Sequence, residues 1–177
     1  MSYISLDSST SSTTVVVFDD DLSIQKKFQK EHQQIYTPEG FVEHDLEEIY
    51  NNLIELIKKA AEIAPDPHLI SITNQRETFA LFDKLTGKPV RNAVVWQCTR
   101  GKEICEKILN NKGHSELITQ KTGLKANTFF SASKLKWVME NEPHVKEGLK
   151  KGKILFGTID TYLLYRLTKC KEYVTDT

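Results

Sequence analysis

The sequence predicts an α/β domain on a mixed sheet that opens with three antiparallel strands and has helices packed on it. Three observations predict it. Apolar and β-branched runs follow one another from Ile4 to Gln33 with only polar turns between them, as in consecutive paired strands. A helical period over residues 46–64 separates those runs from another, Leu69–Thr73, and strand–helix–strand order implies a parallel pairing reached by a crossover. That last run ends in four polar residues, Asn74-Gln75-Arg76-Glu77, and open α/β sheets hold their ligands at such strand ends.

The opening stretch Ile4–Phe18 reads as strand, polar turn, strand. An apolar run ends in Asp7, seven Ser and Thr residues follow from Ser8 to Thr14, and Val15–Phe18 resumes. Asp19-Asp20-Asp21 turns the chain into a third strand within 22–33, where Leu22, Ile24 and Phe28 alternate loosely with lysine and glutamine. Tyr36–Asp45 reads as a loop around the turn Pro38-Glu39-Gly40. Asp45 then caps a helix, with Glu48 three residues on as a capping box. Leu46, Ile49, Tyr50, Leu53, Ile54, Ile57, Ala60 and Ala61 repeat at the helical period, and the helix stops before Pro65 and Pro67.

Thr78–Phe82 and Ala93–Trp96 read as strands on either side of the turn Leu85–Pro89. From Thr99 the pattern is mostly helical. Ile104, Cys105, Ile108 and Leu109 mark one amphipathic stretch, and Ser115–Thr122, ended by Gly123, marks a second. Ser131 caps a third, with Leu135, Val138 and Met139 inward, ending near Asn141. His144–Lys150 reads as a basic, solvated helix. Lys153–Phe156 is a strand, and Thr158–Leu167 a helix that turns Ile159, Leu163 and Leu167 inward.

Composition narrows the function classes. A chain of 177 residues can bury one sizeable core, or two small ones. Lys+Arg and Asp+Glu both number 24, so no net charge points to nucleic acid or an anionic membrane as partner. No apolar run reaches membrane-spanning length, and Met1–Ser5 leads straight into a strand rather than a signal sequence. A cytoplasmic location is expected, with Cys98, Cys105 and Cys170 as free thiols. The five histidines show no metal-ligand spacing, and no Ser-His-Asp or Cys-His arrangement is legible.

Two regions could carry chemistry. A carboxylate at a strand end facing a turn rich in N–H and hydroxyl donors suits a metal ion and a phosphate; taken alone, the stretch reads first as an ordinary hairpin with a hydroxyl-rich turn, since a Ser/Thr turn is a weak motif. Arg76 and Glu77 would point to opposite faces of a continuing strand, so serving one ligand requires the backbone to turn there. A guanidinium that gives to hydroxyl oxygens beside a carboxylate that accepts their protons suits a polyol; a surface ion pair is the alternative. Trp96 and the pair Phe129-Phe130 could wall the apolar face of such a ligand or belong to the core.

These residues lie in segments that resemble the glycerol kinases of the FGGY family of carbohydrate kinases. The segments are Leu6-Asp7 with the Ser/Thr turn, YTPEGFVEHD (36–45), ITNQRET (72–78), TGKPVRNAVVWQCTR (86–100), NTFFSASKLKW (127–137), FGTIDTYLL (156–164) and Val174-Thr175-Asp176. The resemblance implies an actin-like, ribonuclease-H-like domain and ATP-dependent phosphorylation of glycerol to sn-glycerol 3-phosphate. It implies that Asp7 holds Mg²⁺ and that Thr10, Ser11, Ser12 and Thr14 belong to the phosphate turn. Arg76 and Glu77 would bind glycerol hydroxyls, with Trp96 and Phe129 as pocket walls.

The sequence departs from the family pattern at four points. Ser9 stands where the first turn usually has Gly, and serine fits only if the turn keeps an allowed φ. Thr14 stands where a basic residue is usual, which removes a positive charge from the phosphate site. Phe129 replaces the usual tyrosine and loses a hydroxyl donor. The family's catalytic aspartate and adenosine pocket lie in a later part, beyond the position of Thr177, so the resemblance assigns no catalytic base to residues 1–177. It therefore implies that these residues are the N-terminal, polyol-binding portion, inactive alone, ahead of a nucleotide-binding domain. A kinase of another polyol or sugar, and a non-catalytic remnant, are the alternatives; a homo-oligomer of the full-length protein is left open.

Overall fold

The structure, a computed structural model, describes residues 1–175. Asp176, which closes the matched segment Val174–Asp176, lies outside the described residues, and so does Thr177, beyond which the resemblance puts the catalytic base. The first three strands are β1 (Tyr3–Ser8), β2 (Ser12–Phe18) and β3 (Ile24–Glu31). They form an antiparallel meander, and β6 (Leu69–Asn74) joins β1 in parallel, giving the order β3-β2-β1-β6. Helix α1 (Leu46–Ile63) makes the crossover between them. Its apolar stripe, Ile49, Leu53, Leu56 and Ala60, packs on Ile4, Leu6, Val15 and Val17. Full burial of each such aliphatic side chain is worth roughly 1.5–3 kcal/mol, and the strict alternation along β1 and β2 fixes which face receives the helix.

Asp45 caps α1, accepting from the N–H of Glu47 at 2.8 Å and of Glu48 at 3.4 Å. The reciprocal half of a capping box is not made. The Glu48 carboxylate instead accepts the N–H of Gln33 at 3.3 Å, tying the helix start to the segment after β3.

A second, five-stranded sheet is a finding the periodicity did not foresee. It contains β4 (Gln34–Tyr36), β5 (Val42–His44), β7 (Phe79–Asp83), β8 (Ala93–Val94) and β9 (Ile154–Thr158), in the order β4-β5-β8-β7-β9, with every pairing antiparallel. The stretch expected as a loop, 36–45, is thus largely a hairpin. Its strands are three residues long, too short to show alternation, and Gly40 at φ 79° closes the turn by donating to the Thr37 carbonyl. The strand expected over 93–96 ends at Val94; the Val95 N–H still donates to Val42 of β5 at 3.1 Å, but the Trp96 N–H turns to the Thr78 hydroxyl.

The remaining helices are α2 (Lys102–Leu109), α3 (Lys112–Thr122), α4 (Ser131–Asn141), α5 (Pro143–Lys150) and α6 (Ile159–Leu167). Gly123, at φ 72°, ends α3. Helices α4 and α5 bury Val138 and Val145 against Val42, Phe79, Leu81 and Val94 of the second sheet. Helix α5 is therefore not the wholly solvated element its lysines suggested. Val145, with Leu149 partly buried four residues on, is too sparse a signal to read in eight residues.

Candidate active site

The polar turn after β1 is tighter than the run of hydroxyl residues implied. Ser8 completes β1 and Ser12 opens β2, which leaves Ser9-Thr10-Ser11 as the turn, closed by the Ser9 N–H on the Ser12 carbonyl at 2.9 Å. Ser9 stays out of the left-handed region, so a serine fits where the family has glycine. Its hydroxyl donates to Asp7 Oδ2 at 2.7 Å.

Asp7 lies opposite Thr14 on β2 and beside Thr73 on β6, and opposed residues share a face. Thr14 is thus a strand residue behind the turn rather than part of it. Thr10 Oγ1 accepts from the Trp96 indole N–H at 3.0 Å, and Ser12 Oγ accepts from Gln29 at 2.9 Å. Each hydroxyl that accepts still has its own proton to donate. Ser11 is exposed. Together these groups offer an anion a set of O–H donors beside one carboxylate.

The segment after β6 turns sharply, as one ligand for Arg76 and Glu77 requires. Glu77 has φ 65°, a left-handed backbone that costs a non-glycine residue about 1–2 kcal/mol. Ser131, the first residue of α4, holds it there. The Ser131 N–H donates to Glu77 Oε2 at 2.8 Å, and the hydroxyl lies 2.8 Å from Oε2 and 3.0 Å from the Glu77 carbonyl. Ser131 is therefore not the cap of α4, which is Phe130. Glu77 Oε1 accepts nothing from the described residues, and Arg76 is exposed with no ion-pair partner among them.

Trp96 stands beside this turn. Its backbone N–H donates to Thr78 Oγ1 at 3.1 Å, and its ring meets Phe129 edge to face at 5.7 Å. Phe129 is 40% exposed, so it is not a core residue. The structure thus brings Trp96 and Phe129 together, bonds Trp96 to Thr10 of the first turn, and ties Glu77 to Ser131, two residues after Phe129.

Several residues that hold this arrangement carried no readable signal. Gln75 is buried; it donates to the Ser9 carbonyl at 3.2 Å, contacts His44 Nδ1 at 3.1 Å and accepts from Thr78 Oγ1 at 2.9 Å. Because the carbonyl fixes which end of the amide is NH₂, His44 Nδ1 must be the unprotonated acceptor. Burial, with His32 4.9 Å away adding to it, lowers His44 to about 4 and keeps the ring neutral. His32 is lowered as well by burial, and its Nε2 lies 3.1 Å from the Thr10 carbonyl. Both histidines, given no role on spacing grounds, buttress the turn. Lys134 is fully buried beneath Trp96 and Phe129.

Among the described residues no group of three or more His, Cys, Asp or Glu could hold a metal by itself. Asp7 alone, beside hydroxyls at a strand end, fits Mg²⁺, which takes one or two carboxylates and completes its shell with water and phosphate oxygens. No described helix is long and apolar enough to cross a membrane.

Fold and site together define an α/β domain in which a hydroxyl-rich turn after the first strand is tied through Thr10 and Trp96 to the left-handed Glu77 turn. The chain belongs to the FGGY family of carbohydrate kinases, whose N-terminal domain it matches over residues 2–177. It is 48% identical to glycerol kinase 2 of Thermotoga maritima over 99% of its own length, and 46% identical to the glycerol kinase of Shewanella pealeana over 98%. It spans 36% of the length of each. The crystal structure of Plasmodium falciparum glycerol kinase with ADP superposes with a TM-score of 0.89 at 37% identity, over 95% of this chain and 34% of that one. Gluconate kinase from Lactobacillus acidophilus shares the fold, with a TM-score of 0.80 at 21% identity over 93% of this chain and 32% of that one.

Proposed function

We propose that this chain supplies the glycerol pocket and part of the phosphate site of a glycerol kinase, which transfers the terminal phosphoryl group of ATP to a primary hydroxyl to give sn-glycerol 3-phosphate. The observation that carries the reading is the left-handed Glu77 turn, held by Ser131 beside the Trp96–Phe129 pair. Glu77 Oε1 accepts from one substrate hydroxyl, Arg76 donates to another, and the two rings pack on the C–H face. A ligand lacking a hydroxyl leaves a desolvated charge unpaired, which is how an uncharged substrate is selected.

Phosphoryl transfer relies on positioning and on charge stabilisation. In this reading Thr10, Ser11 and Ser12 donate to phosphate oxygens, with Thr14 adding a hydroxyl from the strand behind. Asp7 holds Mg²⁺, which supplies charge neutralisation on the phosphates when bound. The general base and the adenosine pocket belong to a nucleotide-binding domain beyond the position of Thr177. The alternative of another polyol draws on Phe129, which walls the pocket without a hydroxyl of its own.

Two measurements test the proposal. The 177-residue chain is expected to bind glycerol in an NMR titration, with shifts at Trp96 that Arg76→Ala and Glu77→Ala each abolish. It is also expected to show no turnover in a coupled assay. Glycerol shifts that survive both substitutions remove the pocket assignment, and turnover by the chain alone removes the assignment of the base to a later domain.

A further inference from the structure

Lys134 lies one turn into α4 with a fully buried side chain. Its Nζ donates to three backbone carbonyls, of Phe129 at 2.8 Å, Thr128 at 2.9 Å and Trp96 at 3.2 Å. An ammonium has three protons, so its donor capacity is complete. Among the described residues it has no carboxylate at ion-pair distance, and a buried cation without one is expensive. An apolar side chain of the same volume would avoid that cost but leave three carbonyls without their donor, so the lysine is there for those carbonyls.

The carbonyls belong to the two segments that carry the pocket walls, Trp96 and Phe129, whose rings meet at 5.7 Å. The same helix, three residues earlier, holds Glu77 through Ser131. From this juxtaposition we propose that Lys134 is the positioning residue of the polyol pocket, setting the separation of its two aromatic walls and tying both to the helix that holds Glu77. The inference rests on the polyol reading of that pocket.

The charged and titratable groups that face Nζ are Glu77 from the turn after β6, Cys98 and Arg100 from the segment after β8, and Cys105 from α2. Burial is the largest influence and lowers the ammonium to about 8; Cys98, Glu77 and Cys105 oppose the shift and Arg100 adds to it. Deprotonation leaves two N–H donors for three carbonyls, so the pocket is expected to loosen as pH rises through that value.

The test uses the 177-residue chain carrying Trp137→Phe, which leaves Trp96 as its tryptophan. Trp96 emission and glycerol affinity are followed from pH 6.5 to 9.5, alongside the ¹³Cε resonances of lysine in the unsubstituted chain. The expected result is one lysine titrating near pH 8, an emission change with the same midpoint, and a fall in glycerol affinity of at least fivefold across it. Lys134→Met should flatten the emission curve and weaken glycerol at least tenfold at pH 7, whereas Cys98→Ser and Cys105→Ser should leave the emission transition in place. Parental affinity in Lys134→Met, a transition that persists in it, or one that the cysteine substitutions remove overturns the proposal. If Lys134→Met does not fold, coincidence of the lysine and Trp96 midpoints in the parent decides. A parent that binds no glycerol, yet shows the transition and loses it in Lys134→Met, sinks the polyol reading and leaves the positioning role standing.

Discussion

Ser131 reaches Glu77 from both its backbone N–H and its hydroxyl, each 2.8 Å from the same carboxylate oxygen. One helix start thus holds a residue whose backbone is strained and leaves the second carboxylate oxygen without a donor among the described residues.

Glu77→Gly relieves the left-handed strain, worth about 1–2 kcal/mol, and loses two hydrogen bonds to a charged acceptor, worth about 1.5–3 kcal/mol each. The expected outcome is a net loss of about 1–5 kcal/mol in urea unfolding free energy and no glycerol binding. Ser131→Ala keeps the N–H and loses the hydroxyl, so it is expected to cost about 1 kcal/mol and weaken glycerol severalfold. Glycerol binding retained in Glu77→Gly would show that the turn, and not the ligand, is what Glu77 serves.

The neutral His44 makes stability pH-dependent. An unfolded histidine takes up its proton near 6.5, whereas the folded ring resists until about pH 4. A lowered folded-state value means the contribution is complete above pH 6.5 and is lost progressively as pH falls toward 4. Between pH 7 and pH 5 the loss is expected to be about 2 kcal/mol. Urea midpoints measured at both values should diverge, and His44→Gln should remove most of the difference.

Glu43 accepts from both Arg91, at 2.5 Å, and Arg100, at 2.6 Å, while Arg91 also pairs with Glu142. Arg100 is buried, with Phe41 and Trp137 against its guanidinium. Removing the shared carboxylate leaves buried positive charge uncompensated, which costs about 3–5 kcal/mol. Glu43→Ala is therefore expected to lower thermal stability more than either Lys30→Ala or Lys59→Ala, whose partner Glu55 sits at the surface.

A Cβ at Gly101 would lie 2.4 Å from Ser133 Oγ and 2.9 Å from the Ser133 carbonyl carbon. Backbone cannot yield as a side-chain tip can, so Gly101→Ala is expected to cost about 1–3 kcal/mol by forcing α2 away from α4. Gly123→Ala meets no atom within 4 Å; its cost comes from the φ of 72° alone, and the two variants should differ in whether Ser133→Gly rescues them. Partial rescue is expected for Gly101→Ala, since the Ser133 backbone carbon at 2.9 Å remains, and none for Gly123→Ala.

The sequence by itself determined the opening meander, the crossover helix and the parallel return to β6. Along β1 and α1 burial follows a period of 2 or 3.6, which is local information, whereas β3, legible as a loose alternation, and β6, legible as an apolar run, lie largely exposed. It also determined that Arg76 and Glu77 can serve one ligand only where the backbone turns, and the family to which the chain belongs. Only the tertiary structure decided that β4, β5, β7, β8 and β9 form a sheet of their own: β4, β5 and β8, of two or three residues, have no period to read, and nothing along the chain says which strands β7 and β9 pair with. It also decided which hydroxyls of the 8–14 run form a turn, because that depends on the register of β1 against β2. The supports of the pocket were invisible for the same reason. Ser131 with Glu77, Gln75 with Ser9 and Lys134 with Trp96 are separated by 54, 66 and 38 positions. A hydrogen bond across such a separation leaves no pattern along the chain; it exists only once the two sheets and α4 have brought its ends together.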